Sequence, residues 1–217
     1  MDKTKTIRRE AYATGLHLRE NADGTLSRVI TGRAIVFNTP SVPLYEYDGE
    51  QGVEVISPEA VTRELLDASD IKMTMFHDRQ LLLARSNQGK GTLTYNVDKD
   101  GVTFEFEAPA TADGDKAVEL VKRGDIAGCS FAFRCKYYDD DAVTVTAKTQ
   151  DNMVVKTYTV RRIAEIVDFT LASDPAYPTT DCSLRREVSA AETPGNSAAR
   201  LARAADLRRL ATQSANY

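Results

Sequence analysis

Hydrophobic and polar residues alternate along much of the chain, and this pattern predicts a protein built mainly from β-strands. The first two strands flank residues 21–24, whose Asp-Gly step favours a tight turn between antiparallel strands. Residues 98–101 predict a second hairpin in the same way. Later segments rich in Val, Thr, Phe and Tyr predict further strands. The predicted strands are 12–18, 28–37, 71–77, 93–95, 102–106, 129–138, 143–147, 153–160 and 163–171.

Two segments have helical rather than strand periodicity. The run Ser57, Pro58 and Glu59 supplies an N-cap, a proline suited to the first turn and an acidic residue, so we expect a helix of about two to three turns there. Residues 115–123 place apolar side chains on one helical face and end at Gly124, which favours the end of a helix. The pattern therefore predicts an α+β fold, mainly β, whose antiparallel sheet closes or nearly closes.

The composition of the chain changes near residue 180. Residues 174–178 interrupt the strand pattern, and Ala, Ser, Arg and Thr dominate the remainder. We therefore expect a folded domain over residues 1–180 and a flexible Ala/Arg-rich tail over residues 181–217. The tail contains one candidate helix, residues 197–211, which cannot bury much surface alone. It is interpreted either as solvated chain or as a segment that docks on an acidic partner.

Composition and charge exclude several classes of protein. The 217 residues are 42% hydrophobic and 28% charged, as in ordinary globular proteins. Because 28 basic and 32 acidic residues give a net charge of −4, nucleic-acid binding is not expected. The basic start is not followed by an apolar segment, and no run of about 18 apolar residues occurs, so we expect a cytoplasmic protein without a membrane partner. An odd set of three cysteines fits a reducing compartment.

The sequence offers two histidines for proton transfer. Strand alternation places His77 at the end of an apolar, inward-facing row. His17 shares a face with small and charged residues and is expected to face solvent. His77 is therefore the candidate base, although the same position also suits a core histidine with satisfied hydrogen bonds.

Two adjacent residues are candidate nucleophiles, Cys129 and Ser130. Ser130 shares its strand face with small residues, which would let a peptide backbone approach its hydroxyl, although close packing in a sheet would also favour them. Cys129 shares the opposite face with Phe131 and Phe133, and burial among apolar groups would raise the pKa of its thiol. The pattern favours Ser130 over Cys129 as a nucleophile without excluding a structural role for the serine.

A carboxylate completes the candidate set. Alternation places Glu165 on the apolar row of its strand and Asp168 on the opposite face. A buried carboxylate needs a partner, and His77 would serve, because a carboxylate on the far ring nitrogen fixes the tautomer. Arg161 is an equally suitable partner for Glu165, so an ordinary salt bridge is the alternative.

Other chemistries lack their signatures in this sequence. No cysteine or histidine has zinc-ligand spacing, and no glycine-rich phosphate-binding motif occurs. The acidic run 139–141 is typical of a solvated turn rather than of the two facing carboxylates of a glycosidase. We therefore expect neither a metal nor a cofactor.

Five short motifs, in order over most of residues 9 to 180, carry a resemblance to a known family. They are residues 32–38, 55–60, 75–78, 120–133 and 174–178. In these motifs the chain resembles the prohead proteases of tailed phages, whose fold is similar to that of the herpesvirus maturation protease, assemblin. Two positions depart from the usual family phrases: Cys129 stands where Met is frequent, and Phe76 stands where Asn is frequent.

The resemblance implies a nearly closed antiparallel β-barrel of the herpesvirus protease type, flanked by helices, and a serine endopeptidase site. Its nucleophile and base match Ser130 and His77. The third member lies on a strand after the serine, where both Glu165 and Asp168 occur, and strand parity favours Glu165. Oxyanion donors are sought among backbone N–H groups near residues 161–162.

The resemblance also implies a biological setting. Prohead proteases cleave capsid or scaffold proteins, so the expected partners are the major capsid protein and the scaffold, inside the immature prohead in the host cytoplasm. Self-cleavage is expected, and the assemblin-like enzymes suggest a homodimer. One alternative is a non-catalytic capsid assembly or scaffold-binding factor that keeps the fold. Another is an enzyme that uses Cys129 as its nucleophile.

Overall fold

A computed structural model describes residues 5–11, 16–22 and 26–173. These residues form three β-sheets and two α-helices, an α+β fold that is mainly β. The motif at 174–178, the tail at 181–217 with its candidate helix, and Cys182 all lie outside the described residues.

The elements follow one another closely along the chain. The strands are β1 (Lys5–Ala11), β2 (His17–Glu20), β3 (Leu26–Val36), β4 (Tyr45–Tyr47), β5 (Glu50–Ile56), β6 (Asp70–Met75), β7 (Asp78–Asn87), β8 (Lys90–Gly91), β9 (Leu93–Asp98), β10 (Gly101–Glu107), β11 (Gly128–Cys135), β12 (Val143–Gln150), β13 (Met153–Val160) and β14 (Glu165–Ala172). The helices are a short 3-10 turn (Pro58–Ala60), α1 (Arg63–Ala68) and α2 (Ala112–Arg123).

The strands are arranged in one sheet of six and two sheets of four. The strand orders are β1-β11-β14-β6-β7-β8, β2-β3-β10-β9 and β12-β13-β5-β4. Within the described residues none of these sheets closes on itself, so the nearly closed barrel expected from the sequence is not confirmed. Two neighbouring pairs, β6 with β14 and β5 with β13, are parallel rather than antiparallel. Both pairs join strands far apart in the sequence, which a search for local hairpins does not detect.

The two predicted hairpins are present. β2 pairs with β3, and β9 pairs with β10, both antiparallel. Gly101 begins β10 with φ of +149°, and a Cβ atom there would lie 1.9 Å from the carbonyl oxygen of Ile35. The close approach of β3 at this turn therefore requires glycine.

The first predicted helix is shorter and begins later than expected. Ser57 precedes only the 3-10 turn, after which the buried Val61 has an extended backbone (φ −130°, ψ 105°). α1 then begins with Thr62 as its cap, whose side chain accepts from the Leu65 N–H at 3.3 Å. The second helix ends as predicted at Gly124, which has φ of +77°.

The core lies between the six-stranded sheet and the sheet of β2, β3, β9 and β10. Phe104 of β10 and Phe169 of β14 bring the two sheets together with ring centroids 6.3 Å apart. Phe131 and Phe133 stack on β11 at 5.6 Å, and both are fully buried. These rings pack the six-stranded sheet against the core on one face. None of the described helices is long and apolar enough to cross a membrane.

Candidate active site

Three hydroxyl residues form a row across the middle of the six-stranded sheet. Ser130 on β11 lies opposite Thr170 on β14, and Thr170 lies beside Thr74 on β6. Residues paired across neighbouring strands point to the same face of a sheet. Two residues along the strands, Ala132 is paired with Asp168, so the Asp168 side chain belongs to this face as well.

His77 reaches this face from a tight turn rather than from a strand. β6 ends at Met75, which pairs with Asp78 at the start of β7, so Phe76 and His77 form a two-residue hairpin turn. Both have φ of +56°, the left-handed conformation found in type I′ turns. Because neither residue is glycine, this backbone conformation is costly and must be held by its surroundings.

Two hydrogen bonds tie the turn to β14. The Phe76 N–H donates to the Leu171 carbonyl at 3.0 Å, and the His77 N–H donates to Oγ1 of Thr170 at 2.9 Å. The turn also ends the side-chain alternation of β6. His77 therefore does not continue the apolar row of Met73 and Met75, as the strand pattern predicts, but lies over the row of hydroxyl groups.

The His77 ring connects Ser130 with Asp168. Its Nε2 lies 2.7 Å from Ser130 Oγ, and its Nδ1 lies 2.8 Å from Asp168 Oδ1. An ionised carboxylate only accepts hydrogen bonds, so the proton is placed on Nδ1 and Nε2 accepts from the serine hydroxyl. The exposed fractions of the His77 and Asp168 side chains are 8% and 6%, and Ser130 is fully buried. This geometry can remove a proton from a serine hydroxyl in a water-poor environment.

The predicted contact between Glu165 and His77 requires correction. The Glu165 carboxylate lies 2.6 Å from Arg134 in a largely exposed ion pair, the ordinary salt bridge named as the alternative. Its other predicted partner, Arg161, binds Glu59 at 2.6 Å. The carboxylate beside the imidazole is that of Asp168.

Cross-strand pairing explains why strand parity favoured Glu165, whereas the structure places Asp168 beside His77. Parity placed Glu165 in the row of Phe169, but Phe169 is paired with Phe131 and so lies on the face away from Ser130. A register shift in the pairing of β11 with β14, after the pair Ala132 and Asp168, also interrupts the alternation on which the argument relied.

The neighbouring thiol has a different environment. Cys129 is fully buried on the face of Phe131, and its Sγ lies 3.3 Å from the carbonyl oxygen of Ser130. Burial raises the pKa of the Cys129 thiol far above its ordinary value. A protonated thiol in the apolar core is a poor nucleophile, which agrees with the preference for Ser130.

Two further predictions concern residues away from this centre. His17 begins β2, and its side chain lies outside the described part of the structure. The backbone N–H groups of Arg161 and Arg162 both donate to the Ala142 carbonyl, at 2.8 and 3.2 Å. They are therefore engaged within the fold, and the structure does not support them as oxyanion donors.

Thr74 and Thr170 were not predicted as site residues, and Asp168 was predicted only as the alternative to Glu165. A signal for all three was present. Thr74 interrupts an apolar segment between two methionines, and Thr170 does the same between Phe169 and Leu171. Polar residues enclosed in otherwise apolar strands indicate a buried polar cluster that satisfies its own hydrogen bonds.

Comparisons with known proteins give a family match. A family model described as caudovirus prohead serine protease matches residues 15–194. Among solved structures, the bacteriophage T4 capsid assembly protease, gp21, is similar over 76% of this chain and 99% of that chain, with 8% identity and a TM-score of 0.38. None of the curated proteins searched matches the chain.

Proposed function

Because the chain belongs to the caudovirus prohead serine protease family, we propose that it is a serine endopeptidase that acts in capsid maturation, with Ser130, His77 and Asp168 as its catalytic residues. The observation that carries the assignment is the continuous path from Asp168 Oδ1 through the imidazole to Ser130 Oγ, with distances of 2.8 and 2.7 Å. Asp168 replaces Glu165 in this proposal, since Glu165 is bound to Arg134.

The proposed reaction is acyl transfer in two halves. Ser130 Oγ attacks the carbonyl carbon of the scissile peptide bond while His77 Nε2 takes the hydroxyl proton. Asp168 holds Nδ1–H and stabilises the imidazolium. The tetrahedral intermediate then expels the amine, which receives the proton from Nε2. Water, deprotonated by the same nitrogen, attacks the acyl-enzyme, which releases a carboxylic acid and restores the serine hydroxyl.

The proposed substrates are the major capsid protein, the scaffold, or both, inside the immature prohead in the host cytoplasm. Self-cleavage and a homodimer belong to the same proposal. The match over residues 15–194 to a family of prohead serine proteases supports this setting. Ser130 itself is fully buried in the structure.

The decisive experiment compares Ser130→Ala with Ser86→Ala, which removes another buried serine hydroxyl of the same sheet, far from the His77 turn. Each variant is co-expressed with the phage capsid and scaffold proteins, and cleavage is followed by mass spectrometry. We expect cleavage products with Ser86→Ala and none with Ser130→Ala, while both proteins remain folded by circular dichroism. Cleavage at the wild-type rate by Ser130→Ala would remove Ser130 from the proposed role.

A serine-directed phosphonate probe separates this proposal from its alternatives. Labelling of Ser130, lost in His77→Gln, supports the protease. Wild-type protein that assembles capsids without cleaving them or reacting with the probe would instead be an assembly or scaffold-binding factor with a protease fold. Rapid inactivation by a thiol reagent that modifies Cys129 would favour the cysteine as the nucleophile.

A further inference from the structure

The two threonines of the hydroxyl row have no part in the proton transfer described above, yet both are fully buried. Thr74 Oγ1 donates to Thr170 Oγ1 at 2.9 Å, and Thr170 Oγ1 also accepts the His77 N–H at 2.9 Å. Burying a hydroxyl group is unfavourable unless it forms hydrogen bonds. Valine would fill a similar volume at either position without that requirement, so the hydroxyl groups need an explanation beyond packing.

The His77 backbone is the group that depends on them. With φ of +56° at both Phe76 and His77, the turn adopts a conformation that non-glycine residues rarely hold. The His77 N–H would lack an acceptor if Thr170 carried no hydroxyl, since it donates to that side chain and not to a strand carbonyl. The ring it carries must meet two partners at once, at 2.7 and 2.8 Å.

We propose that Thr170, itself held by Thr74, is a positioning residue that fixes the His77 turn and thereby sets the imidazole between Ser130 and Asp168. This inference rests on the proposed function where it concerns catalysis. Thr170 acts through the histidine backbone, whose N–H donates to its hydroxyl group. Its removal should therefore affect the turnover number more than the Michaelis constant.

The position of Thr170 on β14 allows one strand to bind both the backbone and the ring of His77. Thr170 is the cross-strand partner of Ser130, and it lies two residues from Asp168 on the same strand. One rigid segment of β14 therefore carries both the carboxylate that binds Nδ1 and the hydroxyl that binds the backbone of the same histidine. A shift of the turn relative to β14 would lengthen both bonds together.

The first test observes the His77 ring directly by proton NMR of protein with ¹⁵N-labelled histidine. A ring N–H held against a buried carboxylate gives a low-field resonance that is protected from exchange. The chain has two histidines, so His17→Gln assigns the signals. We expect the His77 Nδ1 resonance to persist in Thr170→Ser, which keeps the hydroxyl, and to broaden or disappear in Thr170→Val. Ser86→Ala is the matched control for loss of a buried hydroxyl elsewhere, and its spectrum should be unchanged.

The second test measures cleavage by the same variants. Since a displacement of about 1 Å of a catalytic group can reduce a rate by roughly 100-fold, we expect kcat of Thr170→Val to fall about 10- to 100-fold with little change in KM. Thr170→Ser should recover most of the activity, and Thr74→Val should lie between the wild type and Thr170→Val. If Thr170→Val does not fold, Thr170→Ala removes the same hydroxyl with less bulk.

The NMR and the cleavage measurements distinguish failure of the positioning role from failure of the proposed protease function. A His77 resonance that is unchanged in folded Thr170→Val or Thr170→Ala overturns the positioning role, whatever the activity. A resonance lost in those variants and kept in Thr170→Ser supports it, even if the wild-type protein cleaves nothing. In that case the proposed protease function fails alone. Equal losses of signal in Thr170→Ser and Thr170→Val would also contradict the proposal, because the hydroxyl would not be the important group.

Discussion

The two faces of the six-stranded sheet are both buried along β11 and β14, but their side chains differ in chemistry. On one face Cys129, Phe131 and Phe133 meet Phe169 in an apolar core. On the other face Ser130, Asp168 and the two threonines form a polar cluster joined through His77. The two sets alternate residue by residue along β11 and β14.

The difference shows how one strand can support stability and chemistry at once. The apolar face is stabilised by buried apolar area and close packing. Its contribution to the free energy of unfolding is spread over many contacts, so the face tolerates substitutions of similar volume. The polar face depends on individual hydrogen bonds, and removal of one partner leaves another buried group unsatisfied. Substitutions on the apolar face should therefore change unfolding free energy, and substitutions on the polar face should change activity.

After the loss of the nucleophile in Ser130→Ala, the largest expected effect is that of Asp168→Asn. An amide in place of the carboxylate no longer favours the tautomer with its proton on Nδ1 and cannot stabilise the imidazolium. By analogy with serine proteases that lose this carboxylate, kcat should fall by roughly 10⁴-fold. Steady-state cleavage of a peptide taken from a mapped cleavage site measures the change.

Glu165→Gln is the matched control for that experiment. It makes the same carboxylate-to-amide change three residues away and breaks the ion pair with Arg134, which is too exposed to contribute much. Its activity should stay within about twofold of the wild type, and its stability within about 1 kcal/mol. A severe loss of activity in Glu165→Gln together with normal activity in Asp168→Asn would show that Glu165, and not Asp168, is the carboxylate that acts with His77.

On the apolar face the largest effect is expected for Phe131→Ala. Phe131 is fully buried and stacks on Phe133 at 5.6 Å, so truncation should lower the free energy of unfolding by about 3–5 kcal/mol. Urea unfolding measures this loss, and Phe131→Leu should recover much of it. Titration with the phosphonate probe counts the molecules with a reactive serine. The cleavage rate divided by that number should change little. A fall in that quantity comparable to that of Asp168→Asn would show that the two faces are not separable.

Local sequence patterns were sufficient for much of the fold. Glycine turns located the hairpins of β2 with β3 and β9 with β10, and Gly124 located the end of α2. They were insufficient where pairing is between distant segments. β14 lies between β11 and β6, and neither of these neighbours is adjacent to it in the chain. The order of the strands depends on pairing between distant segments, and the pattern of one segment does not predict its distant partner.

In the candidate site, too, some features follow from the pattern of one strand and others depend on pairing between distant strands. The separation of Ser130 from Cys129 follows from alternation within one strand, and the structure keeps the two side chains on opposite faces, whereas the choice of Ser130 as nucleophile needed the family resemblance. Asp168 could not be chosen without the cross-strand register, because alternation within β14 does not say which row faces the serine. His77 was selected for a strand position that it does not occupy, since the turn at residues 76–77 carries its ring to the other face.

The smallest expected effect is that of Cys129→Ala, which tests the apolar face beside the nucleophile. Removal of the small buried thiol should cost roughly 1 kcal/mol of stability and leave the cleavage rate nearly unchanged. Because burial raises the pKa of this thiol, the folded protein keeps its proton at pH values where the unfolded chain loses it. The wild type should therefore lose stability as the pH rises above about 9, and Cys129→Ala should lose less over the same interval.

Urea unfolding of both proteins between neutral and alkaline pH measures the Cys129 effect, with Cys135→Ala as the matched control. Burial raises the pKa of the Cys135 thiol to about 11, a smaller increase than for Cys129, so its removal should flatten the alkaline loss of stability to a lesser degree. Loss of cleavage in Cys129→Ala at neutral pH, with the fold intact, would contradict the separation of the two faces. It would show that the thiol next to Ser130 takes part in the chemistry and is not only a component of the core.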